Sequence, residues 1–171
     1  SVMLSLAGNA NAQDSGELID LLPEGVTANI NPERKWDKQK NLVVAGSPEK
    51  GYKAFFAATD SEHGEELWVT DGTPEGTYCV MDINWERYGE GQPGYEEGYT
   101  RNSGLDNLEN YNNERVFFQA WTPDYGSEPW TSDGLAAEGL NGPGESGTEH
   151  TYMIYDAHAG KNDGGIGFSS G

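Results

Sequence analysis

The strongest constraint in this chain is a repeat without a gap. "KAFFAATDSEHGEELWVTDG", Lys53 to Gly72, aligns with "RVFFQAWTPDYGSEPWTSDG", Arg115 to Gly134, at a constant offset of 62 residues. Phe55 falls on Phe117, Phe56 on Phe118, Gly64 on Gly126, Glu66 on Glu128, Trp68 on Trp130, and Asp71-Gly72 on Asp133-Gly134. The flanks extend the match. "PEGTYCVMDINWER" from Pro74 has an earlier echo in "PEGVTANINPER" from Pro23, and a stretched one in "SGTEHTYMIYDA" after the second copy. The chain therefore reads as the end of one unit, one complete unit, and a second unit with an insertion.

Each unit carries the signals of a small antiparallel sheet. "KAFFAAT", "ELWVT" and "TYCVMDI" are β-rich runs. "SEHGE" and "DGTPEG" between them are turn signals, the second with Asp-Gly and Pro. Outside the short stretch Gly16 to Leu22, no segment has convincing helical periodicity. The expected fold class is all-β: short antiparallel sheets from an internal repeat, joined by long Gly-, Pro- and acid-rich loops. A sheet of three or four short strands cannot bury its faces alone and must pack on a neighbour of the same kind. Radial stacking makes a propeller; linear stacking makes a solenoid or sandwich. The repeated aromatics Phe55, Trp68, Phe117 and Trp130 are the expected packing core between units.

The pattern divides the chain into residues 1–12, 13–40 (ending a first unit), 41–84 (unit one), 85–103 (an acidic aromatic loop), 104–160 (unit two with its insertion) and 161–171 (a Gly-rich tail). Residues 1–12 have the small residues Ala10 and Ala12 before Gln13, as a signal peptidase accepts. They read as a signal-peptide remnant, so export is expected, to the outside, a periplasm or an organelle lumen. No later apolar run approaches the roughly 20 residues of a membrane-spanning helix.

Composition narrows the partners. The chain has 171 residues and a net charge of −19, with 29 acidic and 10 basic side chains. Nucleic acid and anionic membranes would repel it. A basic protein surface, a cation or a glycan fits better. Leu, Ile, Val and Phe total only 28 residues, but Trp, Tyr and Phe total 19. Disordered chains are poor in aromatics, so the expectation is a folded, loop-rich domain. The single Cys79 excludes an internal disulfide and reads as a buried, inert thiol.

On these motifs the chain resembles the ELWxxDGT repeat proteins, a family of secreted and cell-surface bacterial proteins. "AFFAATDSEHGEELWVTDGTPEGTYCVMDIN" is similar to their unit, and "SGLDNLENYNNERVFFQAWTPDYGSEPWTSDG" less closely so. The second copy departs at Pro129 for Leu and Leu135 for Thr. The resemblance implies propeller-like blades, too few here to close a ring, and so an open assembly, a fragment or a module completed by a partner.

Chemistry is sparse. There is no Gly-x-Ser-x-Gly elbow, P-loop or cysteine zinc spacing. His63, His150 and His158 fit no compact metal motif, and no acid–base carboxylate pair is singled out. Calcium takes six to eight hard oxygens, and Asp60, Glu62 and Glu66 around Gly64 are the candidate ligands. The competing reading makes the repeated Glu66/Glu128 and Asp71/Asp133 structural, with each Asp capping its own turn. The loop "WERYGEGQPGYEEGYTRN" has the texture of a recognition loop. Trp85, Tyr88, Tyr95 and Tyr99, beside Glu96 and Glu97, are its candidate partner contacts.

The expected function is a non-catalytic binding or scaffolding module that docks onto a larger assembly or surface, without a cofactor. The alternatives are an accessory subunit stabilising a multi-protein complex, in a thylakoid lumen or periplasm, and a calcium-dependent glycan-active enzyme.

Overall fold

The computed structural model describes residues 20–28, 42–86, 102–136 and 150–156. Among them the chain is all-β, with nine strands and no helix. These are β1 (Thr27–Ala28), β2 (Leu42–Ser47), β3 (Gly51–Asp60), β4 (Gly64–Thr70), β5 (Tyr78–Met81), β6 (Asp106–Tyr111), β7 (Arg115–Thr122), β8 (Gly126–Ser132) and β9 (Thr151–Met153). Asp20 to Leu22, the described part of the possible helix, is irregular.

The strands form two antiparallel sheets. In the first, β3 pairs with β4 and β4 with β5, while β1 and β2 share the other edge of β3. The second runs β6-β7-β8-β9. The central hairpins share one register at the 62-residue offset: Phe56 faces Trp68 as Phe118 faces Trp130, and Ala58 faces Glu66 as Ala120 faces Glu128. The last strand holds the same position across a longer connection. Trp68 pairs with Cys79 and Val69 with Tyr78; Trp130 pairs with Met153 and Thr131 with Tyr152.

Successive side chains in a strand point to opposite faces, and directly paired residues share a face. Phe55, Leu67 and Val69 therefore lie on one face of the first sheet, and Phe56, Ala58 and Trp68 on the other. The first set packs against Leu108, Val116, Phe118, Ala120 and Trp130 of the second sheet in one core that also takes in Val80, Met81 and Ile83. The second set packs on Leu22, Val26 and Ala28 of the N-terminal segment.

The two sheets are thus stacked in the same sense, not face to face. The Phe118–Trp130 face of the second sheet meets the opposite face of the first. The equivalent Phe56–Trp68 face of the first sheet looks away, toward residues 21–28. Both faces of the first sheet are buried, whereas the far face of the second carries Phe117, Gln119 and Trp121, all only half-buried.

This corrects the expected core in one position. Phe55, Trp68 and Trp130 are buried. Phe117 is not, and its neighbour Phe118 is fully buried in its stead. Trp68 also closes a different boundary from Trp130: it packs under the N-terminal segment, whereas Trp130 sits between the sheets.

Candidate functional site

The most structured polar contacts lie at the seam between the sheets, and the repeated Asp-Gly builds them. After β8 the chain turns at Asp133. Its Oδ1 accepts from Leu135 N at 3.0 Å, and the Ser132 hydroxyl accepts from Gly134 N at 3.0 Å while bonding the Thr151 hydroxyl at 2.8 Å. The first copy repeats the network. Asp71 Oδ1 accepts from Thr73 N at 2.9 Å, and Thr70 Oγ1 accepts from Gly72 N at 3.0 Å and meets Thr77 Oγ1 at 2.6 Å. Both aspartates thus cap their own turns, and the bonds from Thr73 hold the Asp71 carboxyl below its ordinary range. Gly72 and Gly134 sit at φ 94° and 72°, where a side chain is strained.

The second of these turns is pressed onto the first sheet. A Cβ at Gly134 would lie 2.7 Å from the Phe55 ring and 3.0 Å from Val69. Lys53 Nζ donates to the carbonyls of Asp133 (3.3 Å) and Gly134 (3.2 Å), and Tyr78 Oη donates to Gly134 O at 2.7 Å. Lys53, Phe55, Val69 and Tyr78 together form a socket for an Asp-Gly turn. Burial pushes the Tyr78 phenol up, with the Asp133 and Asp71 carboxylates adding to it.

Elsewhere the seam is stitched by polar bonds. Asn110 Nδ2 donates to Val44 O at 2.8 Å, and an exposed ion pair joins Lys50 to Glu114. Ser103 donates through N and Oγ to Glu65 O, both at 2.9 Å, and accepts from Trp121 N at 2.7 Å. Asp133 Oδ2 also takes His150 Nδ1 at 2.8 Å and lies 3.6 Å from Arg115 Nη1.

The candidate calcium ligands are not gathered into one site. Asp60 Oδ1 caps the β3–β4 turn by accepting from Glu62 N (2.9 Å) and His63 N (2.5 Å), and Oδ2 bonds His63 Nδ1 at 2.8 Å. Glu62 turns outward, its side chain 78% exposed. Glu66 is fully buried and accepts from Ile83 N and Asn84 N, both at 3.2 Å. Loss of water around it raises its pKa well above the ordinary value. Among the described residues, no three His, Cys, Asp or Glu side chains are placed to hold a metal ion. Cys79 is half-buried rather than buried, and loss of water around its sulfur pushes its thiol up.

Of the recognition-loop candidates, the structure describes Trp85 alone; Tyr88, Tyr95, Tyr99, Glu96 and Glu97 lie outside the described residues. Trp85 is 36% exposed. The two ends of that loop are held together: Asn84 Nδ2 donates to Asn102 O at 2.8 Å, and Asn102 Oδ1 accepts from Glu65 N at 2.9 Å.

Two recesses are present among the described residues. One, of about 160 Å³, lies in the seam near Lys53 and Asp133 and is smaller than the usual ligand pocket. The other, of about 380 Å³, is walled by residues 20–28, with Asp20 and Glu24 as its ionisable groups. No helix among the described residues is long and apolar enough to cross a membrane.

Sequence reasoning placed Trp130 and the capping aspartates, but missed the socket. The signal was present. The second copy has Gln119 and Thr131 where the first has Ala57 and Val69, so one face is apolar in one unit and polar in the other.

No family model, curated protein or solved structure matches the chain.

Proposed function

We propose that the chain is a non-catalytic binding or scaffolding module. Its ELWxxDGT-like units stack as in an incomplete propeller, and it is exported and docks onto a larger protein assembly or surface through the acidic aromatic loop 85–102. One observation carries this reading: the loop is held at its base, Asn84 to Asn102, while Trp85 stays exposed beside it. A loop closed at its base presents its residues with less ordering cost on binding. The facing sides of the two sheets have no such freedom, since they are packed on each other. Carboxylates and tyrosines in the loop favour a partner with a basic surface.

The test is site-specific capture. A photo-crosslinking residue in place of Trp85 should trap a partner, and one in place of the exposed Tyr111 should not. Equal capture from both positions, or capture from Tyr111 alone, moves the partner site off the loop.

A further inference from the structure

We propose that the far face of the second sheet is a socket for the Asp71-Gly72 turn of a second copy of this chain, so that copies associate head to tail.

The interface inside the chain supplies the template. The Asp133-Gly134 turn is seated by Lys53, Phe55, Val69 and Tyr78 of the first sheet. At the 62-residue offset the first three fall on Arg115, Phe117 and Thr131. The fourth falls on Tyr152, because Val69 pairs with Tyr78 as Thr131 pairs with Tyr152. The second sheet therefore carries the same four positions: a cation, a phenylalanine ring, a β-branched residue and a tyrosine. Thr131 is buried, Phe117 is half-buried, and Tyr152 is 39% exposed, with the Arg115 guanidinium 5.1 Å over its ring.

The matching plug is at the other end. Asp71-Gly72 repeats the hydrogen-bond network of Asp133-Gly134, and Asp71 is exposed. One copy thus offers a plug at its first sheet and a socket at its second. An interface between unlike surfaces of identical chains is heterologous and propagates unless rotation closes it. The cation differs in its ties: Lys53 donates to the turn's backbone carbonyls, whereas Arg115 also donates within its own sheet, to Thr131 Oγ1 at 3.2 Å and His150 O at 2.6 Å, so an incoming turn meets a guanidinium already fixed in place. The inference rests on the stacked-unit reading but not on the loop 85–102.

Complementation in solution tests it, at salt high enough to screen the net charge of −19. Gly72→Asn places a side chain on the plug, and asparagine is the choice that strains a positive φ least, as Asn112 and Asn113 show at 55° and 60° against 94° at Gly72. Tyr152→Glu spoils the socket. Measured by sedimentation from micromolar to millimolar, the wild type should gain mass past the dimer, and each variant alone should stay monomeric. An equal mixture should form a one-to-one dimer and stop, because one intact plug meets one intact socket. Tyr152→Phe, a near-isostere that keeps the fold, should weaken self-association roughly three- to tenfold by losing one hydroxyl donor. A wild type that stays monomeric overturns the proposal. So does a mixture that fails to pair, or a Gly72→Asn chain that associates like the wild type. The stacking itself is read separately, from the stability of Gly134→Asn.

Discussion

Glu66 gives the folded chain a pH dependence whose sign can be worked out. It is buried without a cation, and its folded pKa is raised well above 4.5. The folded state therefore holds a proton that the unfolded state releases near 4.5. This contribution is complete below pH 4.5, falls as pH rises toward the folded pKa, and is flat above it. The slope from this group is at most about 1.4 kcal/mol per pH unit. Glu66→Gln should flatten it, as read by urea unfolding between pH 4 and 8. An unchanged slope would assign the dependence to other groups. The aromatic pairs make a second comparison. Phe118→Ala should cost about 3–5 kcal/mol and Trp68→Ala a similar amount, because both side chains are buried. Phe117→Ala should cost clearly less. Equal losses at Phe117 and Phe118 would contradict the assigned faces.

At the scale of the elements, the hairpin strands β3, β4, β7 and β8 and the closing strand β5 were legible because their turn signals are strong, whereas β1, β2 and β6 were not singled out. Gly64 and Gly126 open β4 and β8 at the same φ of 76°, and both hairpins keep one register. Which face each hairpin buries was not legible. Two adjacent phenylalanines satisfy either choice of face under a period of two, and the answer depends on the direction of stacking. The last strand was also placed imprecisely from sequence. Thr151 occupies the position of Thr77, where its hydroxyl pairs with Ser132 as that of Thr77 pairs with Thr70. The Asp-Gly turns carry the element-scale prediction. Gly134→Asn should destabilise by about 1–3 kcal/mol, since its Cβ meets the Phe55 ring in a packed core. Gly72→Asn should cost clearly less in the monomer. Deleting Gly89 to Gly98 should leave the melting temperature nearly unchanged, because the base at Asn84 and Asn102 remains and loop length costs little. A deletion that unfolds the chain would make the loop structural.

For the whole molecule, the second copy of the unit exists to cover the first. Phe55, Leu67 and Val69 share one core with the second sheet, while Phe56 and Trp68 are covered by residues 21–28. The most direct measurement is therefore the unfolding of a chain of residues 20–86, which keeps the first sheet and its N-terminal cover and lacks the second sheet. With that apolar face open to water, no cooperative thermal transition should be seen by circular dichroism, and the amide proton spectrum should be poorly dispersed, whereas the full chain melts cooperatively. A sharp transition at the full-chain temperature, with a well-dispersed spectrum, would show that the first unit folds without its neighbour and would contradict the account.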